Sequence, residues 1–136
     1  MKPDYLSCLK PFPRYLNNAW RDLNEERGFF GDGSHGESGI RTQANLIFTS
    51  ALLISLPLSE SGLSESDRNL LLQRAKKGLN YLTSGHLTGA FTCADGKRWG
   101  GVWQSAWWTT RMALGAQLIF SELSIEQQQD LQRVRR

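Results

Sequence analysis

Arg98-Trp99-Gly100-Gly101-Val102-Trp103-Gln104-Ser105-Ala106-Trp107-Trp108-Thr109-Thr110-Arg111 holds four of the five tryptophans in the chain. Gly100 and Gly101 interrupt the backbone, and the residues after them recur at helical spacing. Trp99, Trp103, Trp107 and Arg111 are four residues apart, so a helix reaching back over them sets them on one face. That helix is expected from Val102 to Leu123. Ala106, Ala113, Leu114, Ala116, Leu118, Ile119 and Phe120 make it apolar on most sides, as in a buried helix. Flat rings beside Arg98, Gln104 and Arg111 suit a ring-shaped polar ligand such as a sugar. The competing reading is a tryptophan-rich core seam.

A second buried helix is expected from Ser38 or Ile40 to Leu56. Leu46, Ile47, Phe48, Ala51, Leu52, Leu53, Ile54 and Leu56 cover nearly all its sides, and Pro57 stops it. Its first turns carry Arg41, Thr42, Gln43 and Asn45. Polar groups at the start of a buried helix must face partners or a cavity. After the short loop Leu58–Gly62, Ser64-Glu65-Ser66-Asp67 approaches a capping box and opens an amphipathic helix to about Ser84, with Gly85 as its C-terminal glycine. Ser124-Ile125-Glu126-Gln127 is a second box before a polar, outer helix over Ile125–Arg136. A first helix is expected from Arg14 to Glu26, ended by Gly28, after an irregular, proline-marked lead-in over residues 1–13.

No stretch reads as an alternating strand. The fold class is therefore all-α, as antiparallel helical hairpins in a single domain over residues 1–136. Buried and wet helices alternate, and each buried helix follows a glycine-rich loop. This is a weak repeat of roughly sixty residues.

With 136 residues, 40% hydrophobic and 21% charged, the chain can build one sizeable core. A net charge of +3 from scattered basic residues does not point to nucleic acid. The longest apolar run, Leu46 to Leu58, is too short to cross a membrane, and the N-terminus lacks a signal-peptide core. The chain as given reads as cytoplasmic, and a parent exported by a lost leader is the alternative. Cys8 and Cys93 are expected as free thiols, with one bridge as the other choice. Neither metal spacing nor a cofactor motif is present, so no metal and no cofactor are expected.

Gly31-Asp32-Gly33-Ser34-His35-Gly36 matches the letters of a dinucleotide loop. Helix rather than strand is expected before it, which argues against that use. The spacing of a twelve-residue calcium loop is absent too. The segment instead reads as a tight loop leading into a helix. Together with Glu37 and Gly39-Ile40-Arg41-Thr42-Gln43-Ala44-Asn45, it resembles a segment of bacterial (α/α) toroid proteins. Asp95-Gly96-Lys97-Arg98-Trp99-Gly100, followed by Trp103-Gln104-Ser105-Ala106-Trp107, resembles them likewise. The set includes heparinase II/III-like and alginate-lyase-like polysaccharide lyases and related glycoside hydrolases. The resemblance covers about residues 14–130, in pattern more than in one motif.

That resemblance implies inner helices converging on a carbohydrate cleft. The cleft would take an oligo- or polysaccharide, an acidic one included, and be lined by His35, Glu37, Arg41, Gln43, Asn45, Arg98, Trp99, Trp103, Gln104 and Trp107. His35 is the candidate base, with Glu37 to orient it. Arg41 or Arg98 would grip an acidic sugar, and Trp103 and Trp107 would stack on a ring. Against these stand plainer roles: a loop hydrogen bond for His35, a helix cap for Glu37, an i,i+4 pair between Glu37 and Arg41, and a surface position for His86. Glycoside hydrolysis would need two carboxylates from Asp32, Glu37 and Asp95.

A whole toroid needs about five to seven hairpins, and this chain supplies about two and a half. Further hairpins or a homo-oligomer would complete it, and catalysis by this chain alone is not expected. The alternative function is a non-catalytic helical interaction module or remnant. A cyclase of the isoprenoid type would repeat its aspartate-glycine-tryptophan signature, and one loose copy argues against it.

Overall fold

The computed structural model describes residues 7–135. Residues 1–6 of the expected lead-in over 1–13, and the terminal Arg136, lie outside them. The described chain is mostly helical.

Helix α1, Phe12–Ala19, is shorter than the expected first helix and starts earlier, because Pro13 sits in its first turn, where proline fits. The periodicity of Tyr15, Leu16, Ala19 and Trp20 runs past its end, but pairing overrides it. Strands β1, Trp20–Asp22, and β2, Gly28–Phe30, form an antiparallel hairpin with Trp20 opposite Phe30. Asn24 closes the turn, its side-chain oxygen accepting from the Glu26 and Arg27 N–H groups. Gly28, expected to stop a helix, instead lies under the Trp20 ring, where a Cβ would collide.

A π-helical turn, Glu37–Arg41, leads into α2, Thr42–Ser55. The expected loop at Leu58 is a one-turn helix, α3, Leu58–Ser61. Gly62 closes it at φ 73° and donates to the Leu58 carbonyl, a left-handed position that favours glycine. Helix α4, Glu65–Gly85, opens as expected, with Ser64 accepting from the Asp67 N–H. Ser64→Ala is expected to lower unfolding stability by about 1 kcal/mol. A urea midpoint unchanged by the substitution would show that this cap contributes nothing.

Helix α5, Ser105–Leu118, is followed by a 3-10 turn, Phe120–Glu122, and by α6, Ile125–Arg135. The second capping box is reciprocal. Gln127 N–H donates to Ser124 Oγ at 3.1 Å, and Ser124 N–H donates to Gln127 Oε1 at 3.0 Å.

Helix α4 returns along α2. Arg68 Nε donates to the Ile54 carbonyl near one end, and Gly78 lets Gln43 and Ile47 approach near the other. Gly115 of α5 lies against the Phe48 backbone, so α5 runs beside α2. Gln127 reaches Lys76 and Asn80, and Arg133 reaches the Thr83 carbonyl, which sets α6 on α4. One buried cluster draws on all of these helices and on the hairpin.

Helix α5 differs from its expectation. It buries Ser105, Trp108, Met112, Gly115 and Ala116 on one side only. Trp103 before it is 77% exposed and Trp107 66%, and Leu114 and Leu118 are exposed on the same side. Among the described residues, no helix is long and apolar enough to cross a membrane.

Candidate functional site

The two glycine-rich loops lie against each other. Tyr81, 1% exposed on α4, donates its hydroxyl to the Gly33 carbonyl and accepts from the Ala94 N–H at 2.7 Å. Ala94 N–H also lies 3.0 Å from the Gly33 carbonyl. Burial pushes the Tyr81 phenol well above its ordinary value, so it stays a neutral donor. Cys93, buried beside it, is a free thiol pushed up to about 11, by burial first; Cys8 is free and exposed.

Within the first loop, Asp32 gathers the local donors. It accepts from Ser34 N–H at 2.9 Å, Ser34 Oγ at 2.8 Å and Ser38 Oγ at 3.2 Å. The Ser34 backbone bond leads in holding its pKa below the usual carboxylate value. Gly39 must lack a side chain because a Cβ there would strike the Ser34 backbone.

His35 bridges to the second loop. Its ring Nδ1 lies 2.6 Å from Asp95 Oδ2, and its backbone N–H 3.2 Å from the same oxygen. A carboxylate only accepts, so Nδ1 carries the proton and Nε2 is the basic nitrogen. Burial pulls Asp95 upward. The bonds from His35 and from the Lys97 N–H outweigh it and leave its pKa lowered. Glu37 does not orient His35; Asp95, sixty residues further on, does. Glu37 instead pairs with Arg41 at 2.7 Å on an exposed surface, the plain i,i+4 pairing.

A cleft of about 300 Å³ opens between the loops and the start of α5, lined among others by His35, Glu37, Arg98, Trp99, Gln104 and Trp108. Five expected site residues therefore meet there: His35, Glu37, Arg98, Trp99 and Gln104. Arg98 is exposed, with one long contact of 3.5 Å to the Leu87 carbonyl and no ion pair among the described residues.

The other expected residues stand elsewhere. Gln43 is in the core, 1% exposed. Its amide oxygen accepts from the Phe30 N–H and its nitrogen donates to the Gly78 carbonyl at 3.2 Å. Its polarity satisfies the edge of β2, which leaves no amide group free for a ligand. Asn45 and Arg41 are exposed on the α2 side, and Trp103 and Trp107 on α5, all outside the cleft lining. Trp99 is 2% exposed and donates Nε1–H to the Leu82 carbonyl at 2.7 Å, so it forms a wall rather than a stacking platform.

Sequence reasoning missed Asp95 as the partner of His35 and Trp108 as a cleft residue. The signal in the sequence was that both glycine loops carry an aspartate beside a glycine. His86, expected on the surface, is half-buried. Its ring meets Trp99 edge-on at 4.7 Å, and burial first, then Arg133, lowers its pKa. Among the described residues, no group of three His, Cys, Asp or Glu side chains is placed to hold a metal ion.

Comparison with family models, with curated proteins and with solved structures finds no match.

Proposed function

We propose that this chain is a carbohydrate-binding segment of an (α/α) toroid and that the cleft between its two glycine loops holds a sugar ring. One observation carries the reading. His35 and Asp95 tie the loops together beside a cleft whose other groups include a guanidinium with no ion pair among the described residues, an amide, two indoles and the Glu37 carboxylate, which Arg41 neutralises. Those groups match a carboxylated sugar: Arg98 for the acid and Gln104 for hydroxyls, with the buried Trp99 and Trp108 as an apolar wall behind them. Helices α2 and α5 would be inner helices and α4 and α6 outer ones.

If the cleft also processes its ligand, His35 Nε2 is the base and Asp95 its positioning partner. In a β-elimination, the base takes the proton next to the sugar carboxylate. The electron pair forms the new C=C bond as the C–O bond to the glycosidic oxygen breaks, and that oxygen takes the proton that His35 Nε2 has picked up. Arg98 would stabilise the charge that develops on the carboxylate.

Calorimetric titration with oligogalacturonate and with cello-oligosaccharide tests the binding. A saturable signal is expected with the acidic series, weakened at least about tenfold in Arg98→Ala, the loss of one charged hydrogen-bond partner. No heat from either series, with the fold intact, would refute the cleft as a sugar site. A non-catalytic interaction role is favoured by a different feature, the exposed apolar side of α5.

A further inference from the structure

A groove of about 740 Å³ lies between α5 and α6 beside the second glycine loop. It shares only Gly100 with the sugar cleft, so the sugar reading does not use it. His86 lines it, and the tautomer of that ring follows from its partners. The Thr88 N–H donates to Nδ1 at 3.2 Å. The Thr88 hydroxyl accepts from Arg133 Nη1 at 2.7 Å and gives its own proton to Nδ1 at 2.9 Å. Nδ1 is therefore the lone-pair nitrogen. Burial first, then Arg133, lowers the His86 pKa, so the ring is neutral at neutral pH and its one proton sits on Nε2. That N–H makes no hydrogen bond among the described residues. The bare backbone of Gly100 leaves it room: a Cβ there would lie 2.5 Å from Nε2, and the φ of 117° favours glycine.

Ser105, 8% exposed at the start of α5, lines the same groove, and its buried Oγ has no hydrogen-bond partner. A buried hydroxyl left unpaired costs free energy that an acceptor placed beside it recovers. Arg135 on α6 is the one charged side chain of the lining, and no carboxylate lines the groove with it. Ala106, Ala113, Leu114 and Val134 supply an apolar wall.

We propose that this groove is a second ligand site, for a small organic carboxylate with an apolar body. His86 Nε2–H and Ser105 Oγ take the carboxylate oxygens, Arg135 supplies the opposite charge, and Ala113 and Val134 receive the apolar body. One guanidinium matches one negative charge, which favours a carboxylate over a phosphate dianion. The neighbouring Arg133 is already held by Thr88, by the Thr83 carbonyl and by Asp130.

Titration with sodium hexanoate, followed by NMR in the histidine ring signals, tests this. The chain has two histidines, one in each site. Ring nitrogen shifts should first show His86 as the Nε2–H tautomer. Hexanoate should then move the His86 signals saturably, with a midpoint on the order of 1 mM for a ligand of this size, and leave those of His35 in place. Arg135→Gln should weaken binding about tenfold and Ser105→Ala about fivefold. Ser105→Ala should do so without lowering the urea midpoint, because it removes an unsatisfied group. A hydroxyl that serves only the fold would show the reverse. Hexan-1-ol and inorganic phosphate, each with half of the chemistry, should bind at least about tenfold more weakly. An Nδ1–H tautomer overturns the proposal, as does the lack of a saturable His86 shift up to about 20 mM hexanoate. So do a shift shared equally by His35, either control compound binding as well as hexanoate, and an affinity indifferent to both substitutions.

Discussion

Trp99→Ala should cost about 3–5 kcal/mol of unfolding stability, a large part of what a domain of this size possesses. Trp99 is 2% exposed and joins three parts of the molecule. Its indole N–H reaches the Leu82 carbonyl of α4, and its ring contacts His86 and lies 6.4 Å from Trp108 of α5. Its backbone pairs with the loop after α4: Trp99 N–H donates to the Gly85 carbonyl, and Leu87 N–H to the Trp99 carbonyl. Truncation would leave a cavity under the cleft and remove a donor from Leu82. Urea unfolding measures the loss, and near-ultraviolet circular dichroism shows whether the remaining tryptophans keep fixed surroundings. Trp103→Ala, at the most exposed tryptophan, should change monomer stability by no more than about 0.5 kcal/mol. Equal effects of the two substitutions would mean that Trp99 is not the core post described.

This contrast marks where sequence reasoning stops. Four-residue spacing groups Trp99, Trp103 and Trp107 on one helix face. In the structure α5 begins only at Ser105, so Trp99 belongs to a loop and its side chain turns inward. Periodicity gives a face only where the helix exists. The caps are legible because their chemistry is local: Ser64 with Asp67, and Ser124 with Gln127, lie within four residues of each other. The Trp20–Phe30 hairpin is not. Its strands are three residues long, too short to show alternation, and what favours it is the contact of Trp20 with Phe30 and Gly28.

The same division holds at the cleft. That glycine loops precede α2 and α5 and carry polar groups can be read directly. Which groups pair cannot. His35 has Glu37 two residues away and takes Asp95 instead, because the contact that brings the loops together runs through Tyr81 on α4. Gln43 reads as a ligand group because it opens a buried helix. A three-residue strand edge, invisible in the sequence, uses it. The apolar content of α5 suggests burial all round, whereas composition alone does not say how many neighbours a helix has.

Gly39→Ala should lower stability by about 3 kcal/mol, the upper part of the overpacking range, and weaken sugar binding at least about tenfold. Nothing about its backbone angle demands glycine; the requirement is space. A Cβ at Gly39 would meet the carbonyl oxygen, hydroxyl and nitrogen of Ser34. Two of those atoms are backbone and cannot swing aside as a flexible side chain would. The loop must open, which breaks the Asp32 bonds to Ser34 and Ser38 and displaces His35, the next residue, from Asp95. Gly36→Ala is the matched control. It lies in the same loop, a Cβ there would have no atom within 4 Å, and it adopts φ −88°, which alanine accepts. Its stability should stay near wild type; Gly36 lines the cleft, so it serves as a control for the fold and not for affinity. If both alanines are neutral, the close approach at Gly39 does not shape the loop. If both lower stability alike, loop flexibility rather than the Ser34 contact governs the loop. Loss confined to Gly39→Ala would tie the cleft to one close backbone approach.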